Sequence, residues 1–98
     1  MFSHIVIFWT HADIAGAADL LVAGAEKYLR PIPGVTLFHV GRMVPSHRSV
    51  VEQSYQVALN LTFATKADQD SYQEAPLHLE FIAQCSHLWT RVVVYDFE

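Results

Sequence analysis

The sequence has few charged residues and no cluster of basic side chains. Asp, Glu, Lys and Arg make up 16% of the 98 residues, whereas an average domain carries about 25%. This deficit of solvated surface is the first indication of a partner subunit. The formal net charge is -4 and the six Lys and Arg residues are scattered, so nucleic acid and anionic membrane surfaces are poor partners.

Long apolar runs and cysteine pairs are also absent. The apolar segment Phe2–Trp9 is much shorter than the roughly 20 residues of a membrane span, and it lacks the basic region and cleavage site of a signal peptide. Cys85 is the single cysteine, which excludes an intrachain disulfide and fits a reducing compartment, so we expect a cytoplasmic protein. Residues 1–98 are expected to form one domain with a single core.

The spacing of apolar residues along the chain alternates between the period of a strand and the period of a helix. A polar loop is predicted at Pro45–Glu52. Strands are predicted at Phe2–Trp9, Val35–Val44, Ser54–Phe63 and Trp89–Phe97. Two helical regions separate them, in the order βαββαβ. This order predicts an α+β fold in which a four-stranded antiparallel sheet carries its helices on one face.

The two helical regions have recognisable start signals. Asp13 is predicted to cap a helix that runs from Ile14 to about Leu29. The sequence Thr65-Lys-Ala-Asp68 is a capping box, and the helical region that it starts is predicted to run to about Ser86.

The sheet is predicted to be apolar on both faces. Helices can cover only one face, yet the first and last strands have apolar residues at both alternating positions, whereas a wet face would be polar. A minimal outer set is Ile5, Ile7, Trp9, Val93 and Tyr95. At about 1.5–3 kcal/mol per buried side chain, covering it is worth on the order of 10 kcal/mol per protomer, against about 4–15 kcal/mol for association. We therefore predict a homodimer joined sheet face to sheet face.

A proline divides the second helical region between two residues that can transfer protons. Tyr72 and His78 flank Pro76 in the segment Tyr72-Gln-Glu-Ala-Pro-Leu-His78. On an unbroken helix they would point about a third of a turn apart, but a proline breaks or restarts a helix. The two side chains are therefore predicted to converge from separate segments of backbone. The macrodipole near a helix N-terminus disfavours the imidazolium, and a neutral imidazole is what a general base requires.

We predict a pocket between the sheet and the helices, with an apolar lining that suits a small aromatic or acyl ligand. Its predicted lining is His4, Val6, Phe8, Tyr28, Val57, Leu59, Leu61, Phe81, Val92 and Val94. A histidine among β-branched residues is more often a hydrogen-bonded core residue than a ligand contact, and for His4 both interpretations stay open. Tyr72 and His78 also have a purely structural interpretation, in which His78 only caps its helix and Tyr72 packs beside it.

No metal or cofactor is predicted. His11, His39, His47 and His87 show no ligand spacing, and there is no His-Glu-x-x-His motif. Cys85 is interpreted as a small residue of the hydrophobic core.

The chain resembles the stress-responsive dimeric α/β-barrel (Dabb) family over essentially its whole length. The resemblance rests on Ser3-His-Ile-Val-Ile-Phe8, Ile32-Pro-Gly-Val35, Tyr72 with Ala-Pro-Leu-His78, and Val92-Val-Val-Tyr-Asp-Phe97. It implies a ferredoxin-like protomer, a dimer built from two sheets, and a pocket in each protomer. One branch, the plant polyketide cyclase that makes olivetolic acid, uses a His/Tyr pair without metal or cofactor, the histidine as acid/base and the tyrosine to orient the substrate. The resemblance implies that His78 is the acid/base and that Tyr72 orients the substrate. It also implies that His4 matches a histidine in the pocket of the cyclase.

The chain also departs from the family pattern near the site. The usual run before the site histidine is His-Pro-Ala-His, whereas Ala75 and Leu77 replace two of its residues, and Val57 stands where the cyclase has a further pocket histidine. These departures leave the fold unaffected but concern residues that would contact a substrate.

The sequence predicts a small dimeric protein that binds an aromatic or acyl ligand, with cofactor-free cyclase-like or lyase-like chemistry as the catalytic interpretation. The alternative is a non-catalytic stress-response or carrier protein without an open pocket. A monooxygenase or haem-handling enzyme on this dimeric fold would need a different polar constellation. An RNA-recognition module would need basic and aromatic residues on its third strand, which Ser54–Phe63 lacks.

Overall fold

A four-stranded antiparallel sheet carries three helices on one face, which agrees with the predicted βαββαβ order. The computed structural model describes all 98 residues. A single 3₁₀ turn at Ser86–Leu88 precedes the last strand. The elements are β1 (Phe2–Thr10), α1 (Ala17–Tyr28), β2 (Val35–Arg42), β3 (Val57–Phe63), α2 (Lys66–Glu74), α3 (Pro76–Cys85) and β4 (Trp89–Phe97).

The strand order β2-β3-β1-β4 makes β1 central and leaves β2 and β4 as edges. Val6 pairs with Leu59 on one side and with Val94 on the other, so these three side chains share a face. Alternate residues of β1 and β3 on this inner face are buried, and those on the outer face are less so. The core therefore lies between the inner face and the helices, in a ferredoxin-like arrangement.

Helix α1 begins three residues later than the sequence predicts. Residues before it form turns, and Gly16 adopts a left-handed φ of 70° that an α-helix cannot continue. The predicted cap at Asp13 is wrong, because no side chain caps this helix. The Asp13 carboxylate instead lies 3.7 Å from Nδ1 of His11.

The loop between β2 and β3 is longer than the predicted Pro45–Glu52. Strand β2 ends at Arg42 rather than Val44, and β3 begins at Val57 rather than Ser54. Polar side chains near Ser54 form other hydrogen bonds: the Ser54 backbone N–H donates to Glu52, and the Gln56 side chain accepts from the Thr10 backbone N–H. Such local side-chain bonds compete with a strand ladder.

The second helical region is capped and interrupted where the sequence predicts. The Thr65 hydroxyl accepts from the backbone N–H of Asp68 at 3.2 Å and starts α2. Ala75 has an extended ψ of 141° and ends α2, and Pro76 occupies the first turn of α3. Ala75 alone therefore joins the two helices, and its extended conformation interrupts the helical path between them.

The helices leave edge strand β4 uncovered. Val92 and Val94 point to the inner face but are 43% and 48% exposed. On the outer face, Ile5, Ile7, Trp9 and Val93 are half-buried and Tyr95 is exposed. None of the helices has the length and apolarity to cross a membrane.

Candidate functional site

A cavity of about 450 Å³ lies between the inner face of the sheet and helices α2 and α3. The predicted residues that line it are His4, Val6, Phe8, Leu59, Tyr72, His78, Phe81, Val92 and Val94. The other lining residues are Leu29, Lys66, Gln69, Asp70, Gln73, Ile82, Trp89 and Asp96. The cavity divides into an aromatic end and a polar end.

Tyr72 and His78 converge at the polar end. Their ring centroids lie 5.0 Å apart with an edge-to-face angle of 69°. Tyr72 projects from the last turn of α2 and His78 from the first turn of α3, so the break at Pro76 brings them together. Burial raises the pKa of the Tyr72 phenol above its usual value of 10.0, so this group keeps its proton and can donate a hydrogen bond.

The His78 ring is buried, and only one of its two nitrogens has a hydrogen-bond partner. Its Nε2 lies 3.2 Å from the amide nitrogen of Gln73, whereas its Nδ1 is enclosed and has no hydrogen-bond partner. Burial, and to a lesser extent the nearby His4, lower the pKa of His78 below its usual value of 6.5. At neutral pH the ring is therefore uncharged and has a lone pair available for a proton.

His4 reaches the same cavity from β1 and pairs with an acid that sequence reasoning missed. Its Nδ1 lies 2.5 Å from the Asp96 carboxylate, and its ring centroid is 6.0 Å from that of Tyr72. The His4 ring is thus hydrogen-bonded and also forms part of the cavity wall. Asp96 is directly opposite His4 in the β1–β4 register. An acid at the inner-face position of an otherwise apolar strand was the available signal.

Two glutamines and an ion pair complete the polar end. The Gln69 amide nitrogen donates to Gln73 at 2.9 Å, and the Lys66 ammonium donates to Asp70 at 2.8 Å. All four residues lie on α2, whose polar sequence reads as a solvated helix face. Only the sheet beneath shows that this face also borders a cavity.

Aromatic rings form the other end. Trp89 lies 5.0 Å from Phe8 and 5.8 Å from Phe81, measured between ring centroids. Trp89 opens β4 directly after the 3₁₀ turn. Its contribution was missed because strand alternation alone does not reveal which end residues turn inward.

Three residues of the predicted lining lie elsewhere. Val57 and Leu61 are fully buried core residues of β3 that do not line the cavity. Tyr28 lines a separate groove between α1 and the end of α3. The error arose because inner-face alternation marks every core position, whereas only part of that face remains open.

The remaining titratable groups do not assemble into a metal site. No group of three or more His, Cys, Asp or Glu side chains is arranged to hold a metal ion. Cys85 is buried against α1, and this burial raises the pKa of its thiol.

Comparisons with known proteins agree with this architecture. The chain is 28% identical over 96 residues to the stress-response A/B barrel domain-containing protein At5g22580 of Arabidopsis thaliana, covering 98% of this chain and 84% of that protein. Its fold is similar to that of the hydroxynitrile lyase from Passiflora edulis, with a TM-score of 0.81, 18% identity, and coverage of 98% of this chain and 90% of the lyase.

A second solved structure with this fold is described as a dimeric ferredoxin-like protein, from Thermobifida fusca. It has a TM-score of 0.79 and 16% identity, with coverage of 98% of this chain and 88% of that protein. A family model of the stress responsive A/B barrel domain matches residues 2–98. Because this match spans nearly the whole chain, the protein belongs to the stress responsive A/B barrel domain (Dabb) family.

Proposed function

We propose that the cavity binds a small aromatic or acyl compound and that His78 and Tyr72 perform cofactor-free acid–base chemistry of the cyclase or lyase type. The observation that carries the proposal is the 5.0 Å approach of their rings at the polar end of a cavity of about 450 Å³. A cavity of this size suits a small organic ligand. The aromatic end around Trp89 would hold the apolar part and the polar end would hold a carbonyl or hydroxyl group.

The two groups have complementary protonation states. The pKa of Tyr72 is raised and that of His78 is lowered, so at neutral pH one keeps its proton and the other can accept one. In the proposed reaction the phenol of Tyr72 donates a hydrogen bond to a substrate carbonyl. The imidazole of His78 removes a proton from the adjacent carbon or hydroxyl group.

The His4–Asp96 pair supports the same end of the cavity. A carboxylate that accepts from one ring nitrogen fixes the orientation of a histidine. His4 would therefore present its other nitrogen beside Tyr72 in a fixed position. The existence of a hydroxynitrile lyase with this fold supports a lyase-like reaction as one candidate.

We also propose that the protein is a cytoplasmic homodimer. On the outer face of the sheet β1 and β4 contribute mainly apolar side chains, whereas β3 contributes Asn60 and Thr62, and the similar protein from Thermobifida fusca is described as dimeric. The proposed contact set is Ile5, Ile7, Trp9, Val93 and Tyr95. The single unpaired cysteine fits a reducing compartment.

The function is tested by a panel of neutral aromatic ketones, phenols and acyl compounds, measured by thermal shift and then for turnover. A ligand at about 100 times its Kd should raise the free energy of unfolding by about 2.7 kcal/mol. His78→Ala should reduce turnover about 10²–10⁴-fold, the usual contribution of a general acid or base. Gln84→Ala, on the exposed face of α3, is the matched control and should retain full turnover.

Each other outcome has a defined meaning. Ligand binding without turnover would make the protein a carrier. The absence of any thermal shift across the panel would favour the non-catalytic alternative and contradict the proposal.

A further inference from the structure

A chain of two amides ends on the histidine of the cavity. The Gln69 amide nitrogen donates to Oε1 of Gln73 at 2.9 Å, and the Gln73 amide nitrogen lies 3.2 Å from Nε2 of His78. Gln69 is only 6% exposed, whereas Gln73 is exposed at the mouth of the cavity. The buried amide therefore holds the exposed one in place.

The direction of this chain determines where the His78 proton lies. An amide nitrogen only donates, so the Gln73 nitrogen requires a lone pair on Nε2 of His78. In a neutral imidazole the proton must then be on Nδ1. That atom is enclosed and has no hydrogen-bond partner, so no opposing contact selects the other form. In general, the hydrogen bond to one ring nitrogen fixes the state of the other.

We infer that Gln73, oriented by Gln69, is a positioning residue that holds His78 in its Nδ1–H tautomer and makes Nε2 the basic nitrogen. Nε2 is also the ring nitrogen that contacts the exposed Gln73 side chain, whereas Nδ1 is enclosed. A substrate that enters the cavity replaces the Gln73 amide as the donor to Nε2. The catalytic consequence rests on the proposed function, but the tautomer is a property of the ligand-free protein.

The opposite direction of the amide chain uses the same heavy-atom positions. If the Gln73 oxygen faced His78, Nε2 would carry the proton and Nδ1 would be a buried lone pair. Nε2 could then act only as a hydrogen-bond donor in the neutral ring. The two directions therefore predict opposite roles for Nε2 of His78.

The test is ¹⁵N NMR of the ligand-free protein with labelled histidine, above the pKa of His78. Protonated and bare ring nitrogens resonate far apart, so the spectrum identifies the tautomer. We expect a protonated Nδ1 and a bare Nε2 in the unmodified protein. Gln73→Leu should shift the population towards Nε2–H, the form that a free neutral histidine side chain favours in water.

A second variant tests the same contact in the opposite sense. Gln73→Glu places a carboxylate beside Nε2, which should move the proton onto that nitrogen and raise the pKa of His78. Gln84→Leu, on the exposed face of α3, should leave the His78 resonances unchanged, and the melting temperature of each variant verifies folding.

The inference is overturned if Nε2 carries the proton in the unmodified protein. It is also overturned if neither Gln73 variant changes the His78 resonances. Both results are independent of ligand binding, so they are distinct from a failure of the proposed function, which would appear as an absent thermal shift with the tautomer intact.

Discussion

At the scale of single residues, the site separates the protonation states of two neighbouring rings by burial. Tyr72 is 1% exposed and His78 is 9% exposed. Burial disfavours the charged form of each, which is the phenolate for Tyr72 and the imidazolium for His78. The pKa of the phenol therefore rises while the pKa of the imidazole falls. One environment thus produces a donor and an acceptor side by side.

The lowered pKa of His78 should make the protein less stable in acid. Between the usual value of 6.5 and the lower folded value, the unfolded chain binds a proton at this position that the folded protein does not. The free energy of unfolding therefore falls as the pH falls through this window, and the effect is absent above it. His78→Gln removes the titrating group and keeps a polar side chain.

Urea unfolding at about pH 7.5 and about pH 5 measures this difference. The unmodified protein should lose more stability across the interval than His78→Gln. Equal losses in both proteins would show that the pKa of His78 is unshifted.

Tyr72→Phe should separate ligand recognition from packing. The rings of His4, Phe63 and His78 surround the Tyr72 ring, and phenylalanine retains these contacts. Loss of the hydroxyl should weaken a carbonyl ligand by about 0.5–1.5 kcal/mol, the net value of one hydrogen bond. Calorimetric titration gives the affinity, and a ligand without a polar group is the control. An equal loss for both ligands would contradict a hydrogen bond from Tyr72.

At the scale of elements, the contact between α1 and α3 has no spare volume at one point. A Cβ atom added to Gly24 would clash with Sγ of Cys85. Gly24→Ala gains about 1 kcal/mol of helix propensity, but overpacking costs typically 1–3 kcal/mol. Because the clash involves a short side chain close to its backbone, we expect net destabilisation.

Combining Gly24→Ala with Cys85→Ala should reverse the sign. In the Cys85→Ala background the clash is absent, so the same glycine substitution should stabilise the helix. A double-mutant cycle of urea unfolding measures the coupling. Additive effects would show that Gly24 and Cys85 do not compete for space.

The elements that could be predicted from the sequence are those with a local chemical signal. Thr65 supplies a cap and Pro76 cannot continue a helix, so α2 and the start of α3 follow from residue types alone. The start of α1 could not be predicted, since Gly16 adopts a left-handed conformation that depends on the surrounding turns. Likewise, Gln73 joins the candidate site only because the chain breaks between α2 and α3 and brings His78 back towards it.

At the scale of the whole molecule, the outer sheet face predicts the oligomeric state. Tyr95 and Leu79 are both 59% exposed, but Tyr95 lies on the outer face of the sheet and Leu79 lies on α3. Tyr95→Asp should convert the proposed dimer to monomers, because a desolvated charge in the contact is costly. Leu79→Asp is the matched control and should remain dimeric.

Sedimentation velocity at micromolar concentration distinguishes these outcomes. A monomeric unmodified protein would contradict the face-to-face dimer. A dimer that survives Tyr95→Asp would place the contact on another surface.

The uncovered last strand has a consequence for molecular size. Val92 and Val94 belong to the cavity wall yet remain in contact with solvent, so the hollow is a lateral cleft and not a closed chamber. In the proposed function, an alkyl tail on the ligand would leave the cleft past Val92 and Val94. The protein would then select only weakly among ligands of different chain length.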